Sequence, residues 1–162
     1  MELKLKNVFW KLKVIQIGFL LGPFLLILFA VYGLDKKSGS APPDAANSPE
    51  NYIAFGIALA ASFGVFLLPR MLLGNSPEKA PLENMVSSYQ LIKIMQWGTA
   101  EAAAIINMVI YILNGTRNAL LAGIVLLLLI TFLGPGLQNF CKLFKLSESQ
   151  IQEAADRLQS NS

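Results

Sequence analysis

Residues 118–141 read NALLAGIVLLLLITFLGPGLQNFC, and no charge falls between Arg117 and Lys142. At about 1.5 Å per residue, a helix over this run is long enough to cross the ~30 Å hydrocarbon core of a bilayer. Three more stretches repeat the pattern. Val14–Leu34 lies between Lys13 and Asp35, Asn51–Pro69 lies between Glu50 and Arg70, and Ile94–Asn114 follows Lys93 with Glu101 as its only charge. A soluble fold buries shorter helices, and four such runs in 162 residues leave too little polar surface to face water. The expected architecture is an all-α membrane protein: a four-transmembrane-helix bundle with spans at about 14–34, 51–69, 94–114 and 118–140. It forms a single membrane domain over 1–162, with an amphipathic tail at 141–160.

Composition agrees. Apolar residues make up 54% of the chain and charged residues 14%, with a mean hydropathy of +0.54. A soluble domain carries about 25% charged residues. There is no His, which removes the commonest proton shuttle and haem ligand. Cys141 is the single cysteine, so neither an internal disulfide nor a cysteine metal cluster can form. No metal, no cofactor and no nucleic acid are expected, and the net charge of +3 reads as a topology signal.

Lys4, Lys6, Lys11 and Lys13 precede the first run. Arg70, Lys79 and Lys93 lie between the second and third, and Lys142, Lys145 and Arg157 follow the fourth, which places ten of the 13 Lys and Arg residues on one side. Lys36, Lys37 and Arg117 fall on the other. The positive-inside rule then places both termini in the cytoplasm. The first run is too long for a typical signal-peptide core, and no small-residue cleavage site precedes Asp35, so it reads as a span.

The connections are polar. Ser38–Glu50 (SGSAPPDAANSPE) is a linker by composition, Gly74–Leu82 (GNSPEKAPL) joins the second and third spans, and Asn114-Gly115 marks a tight turn between antiparallel helices. Met1–Lys13 reads as an interfacial anchor with Trp10 at headgroup depth. Beyond Gly134-Pro135-Gly136, a face of Phe140, Leu143 and Phe144 flanked by Lys142 and Lys145 suits a membrane surface. Ser147 and Gln150 have the spacing of a capping box, opening a short C-terminal helix with an apolar stripe of Ile151, Ala154, Ala155 and Leu158.

Helices in lipid associate through close packing, which small residues four apart permit. Candidate faces are Gly18/Gly22, Gly56/Ala60/Gly64, Gly98/Ala102 and Ala119/Gly123. Each serves either packing within the bundle or, for Gly56/Ala60/Gly64, contact with another subunit. Pro23 is expected to kink the first span.

Glu101 is the one ionisable residue inside an expected span, about 10 Å deep from the Ile94 end. A central carboxylate costs about 2.5–3.5 kcal/mol on insertion scales unless it is protonated, paired or reached by water. On its own helix only Trp97 offers a nearby donor, and Ser62 and Thr131 are candidates on neighbouring helices. Asn107 and Tyr111, with Asn114, form a polar stripe on another face. Glu101 is therefore either an interhelical tie or an ion-binding carboxylate. No catalytic set or phosphate loop is present, so no enzyme is expected.

The stretch YQLIKIMQWGTAEAAAIINMVIYILNGTRNAL, Tyr89–Leu120, resembles small uncharacterised bacterial four-span membrane proteins, with Tyr89, Gln90, Glu101 and Tyr111 at the matching positions. The chain departs from that pattern at Gln96-Trp97-Gly98, where a basic residue often precedes the Glu. The resemblance implies a bacterial cytoplasmic membrane. Ala100–Ile105 (AEAAAI) is similar to the ion-binding helix of rotary ATPase proteolipid subunits, which implies ion binding at Glu101. The expected role is an accessory or structural subunit of a larger membrane complex, partnered by lipid and by other subunits or by copies of itself. The alternative is proton or cation translocation by an oligomer through Glu101. Lipid or quinone binding against Phe19, Phe24 and Trp97 is a third reading.

Overall fold

The structure, a computed structural model, describes residues 2–33, 49–73, 81–147 and 149–150. Among them there is no strand. Helix α1 covers Glu2–Leu28 and ends in a π turn, Phe29–Gly33; α2 covers Pro49–Leu73, α3 Leu82–Asn114, α4 Arg117–Phe132 and α5 Leu137–Phe144. Among the described residues, two helices are long and apolar enough to cross a membrane: Asn7–Leu28 within α1, and α2. The pair α4 and α5 makes a third if it counts as one bent span. α3 is not among them, because Lys93, Gln96, Glu101 and Asn107 dilute its apolar run. Its 33 residues give it a length of about 50 Å, more than a bilayer core requires.

The outer surface is apolar and the interior is small and aromatic. Leu21 (54%), Phe63 (67%) and Phe132 (82%) stand exposed. In a soluble monomer such a continuous apolar exterior is rare, whereas in lipid it is the solvated side. Inside, α2 turns the row Asn51, Ala54, Ala58, Ala61 and Val65 inward. These residues are three and four apart and so share one face. Ala58 and Ala61 pack with Ala103 and Ala104 of α3 and Leu126 of α4.

At the other end of the bundle the core is aromatic. Tyr89 meets Phe9 at 6.0 Å and Phe140 at 5.3 Å, both edge to face, and Phe140 lies 4.9 Å from Phe144. This corrects the expected membrane-surface face of α5. Phe140 and Phe144 are buried against the chain's own aromatic cluster, while Lys142 and Lys145 stay exposed. Intramolecular burial wins because Phe9, Leu12 and Tyr89 offer α5 a packed apolar seat.

The expected continuous span over 118–140 is also corrected. α4 stops at Phe132, and α5 departs at 86°. Pro135 lacks the N–H that the Thr131 carbonyl would accept one turn earlier, and Gly136 is extended at φ −164°. At Pro23, by contrast, the α-helical pattern continues as far as Leu28. The Asn114-Gly115 turn forms as expected: Gly115 caps α3 in the left-handed region at φ 69°, donating its N–H to Tyr111 O at 2.8 Å. The capping box closes as well, with Ser147 N–H on Gln150 Oε1 at 2.9 Å and Gln150 N–H on Ser147 Oγ at 3.3 Å. The stripe from Ile151 to Leu158 and the Ser38–Ser48 part of the linker lie outside the described residues.

Gly123 holds α3 and α4 together at close range. A Cβ there would overlap the methyl group of Met108, which is fully buried. Because the atom in the way is the flexible end of Met108, Gly123→Ala is expected to cost no more than about 1 kcal/mol. Adding Met108→Leu, which withdraws that methyl group without emptying the site, should recover part of the loss, which thermal unfolding of the single and double variants in detergent can measure.

Candidate functional site

One face of α3 carries Tyr89, Lys93, Gln96 and Trp97, spaced so that all four project the same way. They converge on backbone that the neighbouring helices leave unsatisfied. Leu133, the residue that caps α4, has a carbonyl with no helical partner. It accepts from Lys93 Nζ at 3.1 Å and from Trp97 Nε1 at 3.3 Å. The Tyr89 hydroxyl lies 3.3 Å from Gly136 O and 3.2 Å from Gly136 N, donating to the first and accepting from the second. From α1, Gln16 Nε2 donates to Ile130 O at 2.7 Å, with Thr131 O at 3.4 Å. Asn139 Nδ2 donates to Gly134 O at 2.9 Å. The bend at 133–136 is thus held by side chains from α1, α3 and α5. Irregular backbone at membrane depth survives only when it is satisfied in this way.

Gln96 performs the same service for α2. Pro69 lies inside that helix and cannot donate to Val65 O four residues back. Gln96 Nε2 donates to that carbonyl instead, at 2.8 Å. This choice fixes the orientation of the amide, because a flip would set oxygen against oxygen. Gln96 Oε1 is left buried, with no hydrogen-bond partner among the described residues. The Pro69–Gln96 pairing was missed from sequence. Its signal was available, since a proline inside an apolar run leaves one carbonyl in need of a donor from elsewhere.

Glu101 sits on the α1-facing side of α3, partly exposed. A Cβ added to Gly22 would lie 3.2 Å from its Oε1, so the glycine leaves room for the carboxylate. The polar residues expected to support Glu101 are engaged elsewhere. Trp97 donates to Leu133 O, Ser62 Oγ to Ala58 O at 2.8 Å, Thr131 Oγ1 to Leu127 O at 3.0 Å and Asn107 Nδ2 to Ala103 O at 2.9 Å. Tyr111 is half-buried. Among the described residues, none donates to Glu101.

The small-residue faces divide. Gly98 packs near Phe19 and Gly64 near Thr99, whereas Gly18 and Gly56 have nothing within 4 Å of a built Cβ. Ala60 and Ala102 are exposed. The inward face of α2 is the Ala54/Ala58/Ala61 row, and Gly56/Ala60 looks outward.

Comparison with protein families, characterised proteins and solved structures finds no match to this chain.

Proposed function

We propose that the chain is an integral membrane protein of four crossings, with both termini cytoplasmic, acting as a non-enzymatic accessory or structural subunit of a larger assembly. In this reading α3 and α4 cross alongside α1 and α2, and α5 lies along the inner interface. The distribution of Lys and Arg supports that orientation. The resemblance to small bacterial four-span proteins points to a bacterial cytoplasmic membrane.

The observation that carries the proposal is Glu101. It is a carboxylate at membrane depth, partly exposed at the α1–α3 seam, with no donor among the described residues of its own chain. Such a group calls for a proton, a cation or a partner from outside. The outward Gly56/Ala60 face supplies a second surface where another helix can approach closely. The polar groups that do converge are used in holding backbone, which fits a scaffold better than a reaction centre.

The test is cross-linking from a photoreactive residue at Ala60 in native membranes, with Phe55, exposed on a different face of α2, as the comparison. A discrete adduct from Ala60 and none from Phe55 is expected. Adducts to lipid alone from both would defeat the subunit reading.

The same carboxylate supports a second reading, translocation of protons or cations by an oligomer. Glu101→Gln should then abolish flux in proteoliposomes while assembly persists. Flux unchanged in that variant would remove this reading.

A further inference from the structure

A cleft of about 320 Å³ opens beside the α4–α5 bend. Its polar lining includes Lys93, Gln96, Asn139 and Lys142, and Pro69 and Phe132 are among its apolar walls. We propose that this cleft binds the phosphate-bearing headgroup of an acidic membrane lipid. The inference rests on the membrane placement of α1 and α2 and is independent of the subunit role.

Three features favour such a ligand. Lys93 is only 6% exposed, and among the described residues its ammonium meets the Leu133 carbonyl and the Tyr89 ring, 5.6 Å from the ring centre, but no carboxylate. A buried cation of this kind calls for a counter-charge, and among the described residues only one of its three N–H groups meets a hydrogen-bond acceptor, leaving two for an anion. Lys142 brings a second, exposed cation to the same cleft from α5.

Gln96, 4% exposed, contributes the opposite chemistry. Its Oε1 is a buried acceptor whose orientation Pro69 dictates, and it lacks a donor among the described residues. A headgroup that carries a hydroxyl beside its phosphate, as phosphatidylglycerol does, would supply both the anion for the lysines and the donor for Gln96. Position fits as well. The cleft lies where apolar α4 gives way to amphipathic α5, and Phe132 at its edge is 82% exposed, so acyl chains have an apolar wall to follow.

The full chain in mild detergent is titrated with phosphatidylglycerol, with phosphatidylcholine of the same acyl chains, and with millimolar inorganic phosphate, following thermal unfolding and lipid retention by native mass spectrometry. Phosphatidylglycerol should be retained and should raise the midpoint, with the other two probes giving little. Lys142→Gln, at an exposed position, should weaken that affinity about tenfold, the loss of one charge-assisted contact. Lys11→Gln with Lys13→Gln, which removes exposed charge from α1, should leave it unchanged. Equal retention of the two lipids would overturn the proposal. So would equal losses in the α1 and Lys142 variants, which would mean general surface charge, or a full shift with inorganic phosphate alone, which would mean a free anion.

Discussion

Gln96→Leu is expected to lower the unfolding midpoint of the chain in detergent sharply, and Pro69→Ala is expected to restore most of the loss. The single variant leaves Val65 O buried with no donor, since Pro69 has no N–H to offer and the side-chain amide is gone. An orphaned buried acceptor costs about 1–3 kcal/mol, with lipid surroundings favouring the upper end. Pro69→Ala returns a backbone N–H to the turn where it is missing, so Gln96 is no longer needed there. The coupling between the two sites, read from a double-mutant cycle, should exceed about 1 kcal/mol. Independent, additive effects would mean that Gln96 is held for another reason. Gln96 also lines the proposed lipid cleft, but the cycle is run without added lipid, so headgroup binding does not enter it.

The all-helical class and the apolar runs of α1 and α2 were legible because they depend on local quantities. Apolar run length and the Asn114-Gly115 turn need no knowledge of neighbours, and the Ser147/Gln150 capping box is written in adjacent residues. Choice of face was not legible. On α2 the rows Gly56/Ala60/Gly64 and Ala54/Ala58/Ala61 are both small and regularly spaced, and sequence alone does not say which one meets α3. Residue spacing sets the expected depth of Glu101 but does not name its companion. The residue beside it is Gly22, whose value lies in the absence of a side chain. Side-chain chemistry makes serine, threonine and asparagine candidate donors, yet in helices they readily bond their own preceding turn, as Ser62, Thr131 and Asn107 do here.

The break in α4 shows how such local devices add up to a tertiary arrangement. Gly134-Pro135-Gly136 determines where the helix ends, but not what receives the freed carbonyls. Gln16, Tyr89, Lys93, Trp97 and Asn139 do so, from segments far apart in the chain except for Asn139. The bend therefore depends on α1 and α3 being in place. With the bend formed, α5 is delivered to the aromatic cluster rather than continuing along the line of α4.

Phe140→Ala then separates two accounts of α5. If α5 is seated on the bundle, the variant removes a fully buried ring that touches Phe9, Tyr89 and Phe144, at 6.3, 5.3 and 4.9 Å between centres. Loss of such a ring costs about 3–5 kcal/mol. Phe140→Leu, which keeps much of the apolar volume, should cost clearly less. Hydrogen exchange should rise in α5 and spread to Gly136, because Tyr89 both packs on Phe140 and holds the Gly136 backbone. If α5 merely rested on the membrane surface, the alanine variant would weaken lipid contact of α5 alone and leave the unfolding midpoint of the bundle where it was. A fall in that midpoint, accompanied by faster exchange at Gly136, is the expected result, since the same tyrosine joins the aromatic seat to the hydrogen bonds of the bend.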